Sequence, residues 1–426
     1  MQSAPQEALG HKVVGVGSCG LDYLAQVARF PQPDDKLRTE NLQTQGGGNC
    51  ANALTAAARL GLKPVLISKI GGDAIGDGII SELENDGVST EFVLRAKGHP
   101  SPFTYIIVDR EGGTRTCIHT PAAPLEVDDV SPSLIEGALH GAALVYFDGR
   151  LAEAALQVAK AATAAGIPVL VEAERLRPGL NELLAHADYV VTSAKFPQAW
   201  TGEASLGDAL LSTFQRLPHI RWMATTLGSR GSVFLGQAEA LQNGDSIPTI
   251  RLDDVLDQLS EQMRESKADL HDEPPACTTA SGVDIREGQS AAAEGAIRLQ
   301  WRRDESTLPE VRQKADAAAA AASISNADSR RASEYNRTGS MEECSGDLPI
   351  ARVIAASAAV LPKDAIVDTT GAGDAFIGTL LYAICHGMPP EKSLRLAAVV
   401  AAKKCTTVGA RGGLPQRSSL SDMLFL

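Results

Sequence analysis

Nine residues near the end of the chain, Asp368-Thr369-Thr370-Gly371-Ala372-Gly373-Asp374-Ala375-Phe376, join an anion cradle to a carboxylate. Gly371, Ala372 and Gly373 run into an apolar, helix-like stretch. Their backbone N–H groups would stand uncovered at a helix start, where the macrodipole adds positive potential. Asp374 falls in the first helical turn. A phosphoryl group in transfer needs donors around its charge, and an attacking alcohol needs a base to take its proton. The same nine residues meet both demands, the amides serving the phosphate and Asp374 the acceptor hydroxyl. A plain helix cap at Asp374, favourable by about 0.5–2 kcal/mol, is the competing reading.

Three further features fit the chemical reading. Thr226-Leu227-Gly228-Ser229-Arg230-Gly231 follows an expected strand, and its glycines could bring backbone close to nucleotide phosphates while Thr226 donates a hydroxyl hydrogen bond. Alone, the stretch is equally an ordinary turn. Gly46-Gly47-Gly48-Asn49-Cys50-Ala51-Asn52 places Asn49 and Asn52 on one face of a helix start. With the glycine N–H groups they form a shelf for a polyhydroxy substrate, or else a cap and one exposed Asn. Asp22 comes just after the first strand, where an open α/β sheet builds its crevice.

Gly15-Val16-Gly17-Ser18-Cys19-Gly20 matches a dinucleotide fingerprint, but the fingerprint needs a helix next and an acid about 20 residues on. Pro31 and Pro33 truncate any such helix, and Asp34 and Asp35 fall in a loop. These glycines are expected to let the backbone turn closely over a ligand instead.

The elements that must position these residues read as α/β. Strands are expected at Val13–Val16, Lys63–Lys69, Ala142–Phe147, Pro168–Glu172, Ala187–Thr192, Trp222–Thr226 and Ala351–Val360, and helices at 51–61, Ile75–Asn85 and Ala152–Ala165. Their alternation implies βαβ units and a mainly parallel sheet covered on both faces. Pro102–Val108 and Thr114–Thr120 flank a hairpin turn. From Gly236 to Pro349 the chain turns polar, acidic and alanine-rich, and reads as an insertion, disordered or lineage-specific, with helical hints only at Val255–Met263 and Ile285–Trp301. Arg330-Arg331-Ala332-Ser333 within it is either a phosphosite or a plain solvated stretch.

The 426 residues carry a net charge of −13 with a pI near 5.2, which argues against a nucleic-acid or anionic-membrane partner. Seven scattered cysteines suit a reducing compartment. No apolar run is long enough to span a bilayer and the start carries no targeting pattern, so a cytoplasmic protein is expected.

Together these motifs resemble the PfkB (ribokinase-like) carbohydrate kinase family, the nine-residue stretch its C-terminal signature and Gly46–Ile79 its N-terminal one. Outside the insertion the resemblance covers nearly the whole chain. It implies a ribokinase-like fold: a core of residues 1–236 and 350–426, a low-complexity insertion at 237–349, and a small β-sheet lid from about 25–45 and 102–120. It also implies ATP-dependent phosphorylation of a hydroxymethyl group, with Mg²⁺ and in some members K⁺. By motif, Asp374 is the base and Gly371, Ala372 and Gly373 the anion hole. Thr226, Gly228, Gly231 and Gly409 touch ATP; Asp22, Gly48, Asn49, Asn52, Asp148 and Arg150 grip the substrate; Arg115 reaches in from the lid; and a monovalent cation sits near Asp368 and Thr370. A homodimer through the lid is a further implication. GGNCAN, REGGTRT, LVYFDGR and AAKKC resemble the ketohexokinase branch, which points to a ketose such as fructose; ribose, another fructokinase-type sugar, a nucleoside, or a silent partner-binding protein are the alternatives. Ser193-Ala194-Lys195-Phe196 stands where the family usually carries N-x-x-E, so the magnesium arrangement departs from the pattern.

Overall fold

The computed structural model describes residues 10–112, 114–237, 249–265, 277–278, 284–285, 290–292, 297–300, 350–362 and 365–425. In chain order the elements begin β1 (Lys12–Val16), β2 (Gly20–Val27), β3 (Asn41–Gly47), α1 (Asn49–Arg59), β4 (Lys63–Gly71), α2 (Ala74–Asn85), β5 (Ser89–Ala96), β6 (Phe103–Asp109) and β7 (Thr114–Thr120). Then come α3 (Pro132–Leu139), β8 (Ala142–Phe147), α4 (Ala152–Ala164), β9 (Val169–Ala173), α5 (Leu180–Leu184), β10 (Tyr189–Ser193), α6 (Phe196–Thr201), α7 (Leu206–Arg216), β11 (Trp222–Thr226) and β12 (Ser232–Gln237). The chain continues with β13 (Thr249–Arg251), α8 (Leu252–Glu265), β14 (Cys277–Thr278), β15 (Asp284–Ile285), β16 (Ser290–Ala292), β17 (Ile297–Gln300), β18 (Ile350–Ala356), α9 (Ala372–Cys385) and α10 (Pro390–Lys404).

Two compact units result. The first comprises 1–172, 268–289 and 358–426, the second 173–267 and 290–357. In the first unit, strands run β9-β8-β1-β4-β5 with every ladder parallel. Val13, Val14, Val16, Leu66, Ile67, Leu144 and Val145 are fully buried, as expected for a parallel sheet covered on both faces. Helix α1 is almost wholly sunk into the core, its alanines letting α9 and α10 close over it around Ala56, Leu60, Ala375, Leu396 and Val399.

The same unit carries a separate four-stranded sheet in the order β3-β2-β6-β7. It matches the expected small β-sheet lid, its strands lying within 20–47 and 103–120 where about 25–45 and 102–120 are expected. Side chains alternate across it, and the register puts Asp22, Thr104, Arg115 and His119 on one face and Tyr23, Leu42, Tyr105 and Ile118 on the other.

In the second unit β10 and β11 are parallel, while β12 and β18 add antiparallel strands. Most of the interval 237–349, with its reading as an insertion and the Arg330–Ser333 stretch, lies outside the described residues. Within it α8 covers the expected helix Val255–Met263 and buries Leu252 and Leu256. Of Ile285–Trp301, where a helix is expected, the described residues are strand instead: Ile285 ends β15, and β16 and β17 pair antiparallel with β18, while 286–289, 293–296 and 301 lie outside the described residues. A ladder offered by a neighbouring strand outweighs the modest helix preference of Ala, Glu and Arg.

Candidate active site

Helix α9 begins where the nine-residue motif predicts. Gly371 is its N-cap at φ 76°, a left-handed conformation that suits glycine, and a Cβ there would also lie 2.7 Å from Ala410 Cβ. The loop before it is tied down by Asp368. Its Oδ1 accepts from Thr370 N and Oγ1 at 2.9 and 2.7 Å, and its Oδ2 from Gly409 N at 2.7 Å. Lys404, fully buried, donates from Nζ to Asp368 O at 2.6 Å. These donors hold the Asp368 carboxyl below its ordinary range against the opposing effect of burial.

The expected anion hole is narrower than three amides. Ala372 N already donates to Thr369 O at 3.2 Å. At Gly373, by contrast, no atom of the described residues lies within 4 Å of where a Cβ would stand, so its face of the helix start opens onto space.

Asp374 meets Asn52 across 322 positions of sequence: Asn52 Nδ2 donates to Asp374 Oδ2 at 2.8 Å. Both lie in the first turns of their helices. Gly378, one turn beyond Asp374, sets how closely those helices approach, since a Cβ on it would stand 2.3 Å from Ala53 O. Gly48 caps α1 at φ 92° against Cys19, and Asn49 follows as the first helical residue, its N–H donating to Ser18 Oγ at 3.1 Å. Arg150 Nη2 reaches Asn49 Oδ1 at 3.4 Å.

Asp22 is 9% exposed, and burial pushes its carboxyl up to about 6 against a hydrogen bond from Thr104 and the charge of Arg411. Gly47 makes room for it, because a Cβ there would lie 2.4 Å from Asp22 Oδ2. From the same face of the lid, Arg115 Nη1 donates to Thr369 Oγ1 and Thr370 Oγ1 at 3.2 and 3.0 Å and lies 3.6 Å from Asp368 Oδ1. The lid arginine therefore ends beside the residues expected to form the anion hole.

Some expected contacts turn inward. Asp148 is 2% exposed; its Oδ2 accepts from Ser18 N and Oγ, both at 2.7 Å, and its Oδ1 from Arg150 N at 3.0 Å. It braces the turn that follows β1. The Gly15–Gly20 turn likewise packs on protein: a Cβ on Gly15 would strike Leu54 and Cys50, and one on Gly17 would strike Asp148. Gly409, expected at ATP, gives its N–H to Asp368, and the Gln45 side chain occupies its other face.

In the second unit, Thr226 ends β11 and donates to Thr192 O at 3.4 Å. Gly228, at φ 62°, opens onto space among the described residues, whereas Gly231 is packed against Ala356 and Ser357. Ser193 Oγ donates to Glu174 O at 2.6 Å, and Lys195 is exposed.

Sequence reading missed Arg411 and Glu82. Arg411 is 2% exposed and donates to Asn52 Oδ1 and Gly47 O while facing Glu82. An arginine in a glycine-rich loop past the last helix carries no local sign of burial.

A sheet-and-lid unit that holds a buried acidic residue, an amide shelf and a carboxylate at a helix start has the architecture of a small-molecule kinase. The chain matches the profile described as pfkB family carbohydrate kinase at residues 11–252 and 355–417, and it belongs to that family. It is similar to a ribokinase of Bacillus subtilis, 28% identical over 44% of this chain and 66% of the relative, and to a ribokinase of Mus musculus, 34% identical over 25% and 33%. A ketohexokinase of Mus musculus is 24% identical over 58% of this chain and 84% of the relative. The chain thus spans a third to two thirds of the length of these two ribokinases. Among solved structures, the ribokinase of Arabidopsis thaliana complexed with ribose and ATP aligns at TM-score 0.60 and 19% identity, covering 98% of this chain and 99% of that one. The ribokinase of Giardia lamblia aligns at 0.61 and 17%, covering 97% and 98%. These likenesses establish the ribokinase fold. Among the described residues no helix is long and apolar enough to cross a membrane.

Proposed function

We propose that the protein is an ATP-dependent sugar kinase that transfers the γ-phosphoryl group to a hydroxymethyl group of a small carbohydrate, a ketose such as fructose. The observation that carries this reading is the 2.8 Å bond from Asn52 to Asp374, at a helix start where a Cβ on Gly373 would meet nothing within 4 Å among the described residues.

The acceptor hydroxyl gives its proton to the Asp374 carboxylate as its oxygen attacks the γ-phosphorus and ADP leaves. Gly373 N–H and the α9 dipole stabilise the charge on the transferred group, and Arg115 adds a cation beside it. Asp22, Asn49, Asn52 and Arg150 hold the sugar hydroxyls, and Gly48 shapes the shelf. Thr226 and Gly228 serve the nucleotide.

ATP brings magnesium as its complex, with phosphate oxygens and water around the ion. Ser193 and Lys195 supply no carboxylate where the family usually has one, so no step is assigned to a protein-held ion. Nor do the residues at Asp368 fit a K⁺ ion. Both carboxylate oxygens take protein donors, and Lys404 and Arg115 supply the positive charge. We place the enzyme in the cytoplasm as a homodimer through the outer lid face, where Leu42, Tyr105 and Ile118 are 61%, 50% and 55% exposed.

ADP release from the purified chain, with Mg·ATP and a panel of ketoses, ribose and nucleosides, tests the reading. Turnover of fructose supports it, turnover of ribose or a nucleoside alone replaces the sugar, and release with none of them overturns it.

A further inference from the structure

Arg411 is among the largest fully buried side chains of the protein, and a buried guanidinium is tolerated only when paired and hydrogen-bonded. Two of its donations go to the elements that carry the acceptor shelf and a third to Glu82 of α2. Nε donates to Asn52 Oδ1 at 2.9 Å, Nη2 to Gly47 O at 3.0 Å, and Nη1 faces Glu82 Oε1 at 3.3 Å. That glutamate oxygen also receives Gly46 N at 2.9 Å. The arginine is itself held: Arg59, the last residue of α1, donates to Arg411 O at 2.8 Å and to Leu414 O at 3.0 Å.

Two consequences follow for Asn52. Arginine has donors and no acceptor, so the Asn52 amide must turn its oxygen to Arg411 and its NH₂ to Asp374. A cation on the amide oxygen also polarises the group and strengthens the donation from its nitrogen. A donor aimed at a carboxylate favours the ionised form, the one that can accept a proton. We propose that Arg411 is a positioning residue that acts through Asn52, orienting and polarising its amide so that Asp374 stays ionised and in place beneath the acceptor hydroxyl. The link to turnover rests on the kinase reading; the link from Arg411 to Asp374 does not.

Other groups face these side chains. Cys50 of α1, Tyr146 of β8 and Lys404 of α10 feel the Asp374 charge, while Asp22 and Glu82 face Arg411. A comparison that keeps them constant isolates the relay. The full chain, ¹³C-labelled at aspartate side-chain carboxyls, is titrated by NMR without substrates, and Asp374→Asn identifies the Asp374 signal.

Arg411→Gln is expected to raise the Asp374 midpoint by about half a pH unit or more. On an Asn52→Ala background the same substitution should move it by less than about 0.2 unit, because the two act in series. A midpoint that stays put while Tm falls would mean packing alone and overturn the proposal, as would equal shifts on both backgrounds. If Arg411→Gln does not fold, Glu82→Gln loosens the guanidinium without emptying its site. An upward shift that disappears without Asn52 supports the relay, and an unmoved or background-independent midpoint overturns it. Wild-type ADP release with fructose, measured on the same preparations, judges the kinase reading separately.

Discussion

In the proposed reaction Asp374 does two jobs that one substitution separates. Asparagine keeps its shape and can still accept from Asn52 Nδ2, but it takes no proton from the acceptor. Asp374→Asn should therefore leave Tm within a degree or two and lower kcat by about 10²–10⁴-fold, measured as ADP release. Asp22 makes the complementary case. Its carboxyl sits at about 6 when folded against an ordinary 3.8, so the folded state holds this proton more tightly than the unfolded chain. The stabilisation this provides is complete below about pH 3.8 and is lost as pH rises through about 6, a difference of about 3 kcal/mol at about 1.4 kcal/mol per unit. Asp22→Asn should consequently raise Tm relative to wild type at pH 7.5, with the gain fading toward pH 4, while sugar affinity falls. Paired thermal scans across that range check the sign; a gain that grows toward acid would refute it.

At the scale of elements, the site is the meeting of two helix starts, and α9 offers a matched pair of tests. Gly378 has Ala53 O 2.3 Å from a would-be Cβ, so Gly378→Ala must push α9 off α1 and draw Asp374 away from Asn52. It should cost about 1–3 kcal/mol as an overpacked contact, and kcat should drop with it. Gly373→Ala meets nothing within 4 Å among the described residues and should be neutral or stabilising by up to about 1 kcal/mol. Its methyl would project into the space the phosphoryl group needs, lowering kcat roughly tenfold, less than the loss of a whole donor. Denaturant melts beside ADP-release kinetics separate the two: one variant loses both properties, the other activity alone.

For the whole molecule the question is where the polar interval can be cut. Helix α8 buries Leu252 and Leu256, and β16 and β17 pair with β18. Joining residue 301 to residue 349 by a short linker leaves those elements in the chain and should preserve Tm and turnover. Removing 243–346 takes away α8, β16 and β17 and leaves β18 without two partners, so Tm should fall by several degrees. Equal Tm for the two deletions would mean that these elements add little to the second unit.

The amino-acid sequence alone determined the elements with a strong local period and the motifs that are themselves local. The buried strands, the lid hairpin, the α9 start with Asp374, and the Asn49/Asn52 spacing on α1 all depend on neighbours a few positions away. Tertiary structure decided the rest. Asp148 and Gly409 have the right residue types for ligand contacts, yet their polar groups serve Ser18 and Asp368, residues distant in the chain. Ser290–Ala292 and Ile297–Gln300 fall in a stretch of helix-forming composition but join ladders with β18. Arg411 and Glu82 become meaningful only when α1, α2 and the loop after α10 converge. A buried charge depends on partners that only packing brings within 3 Å or so, and no short stretch of sequence records which partners those will be.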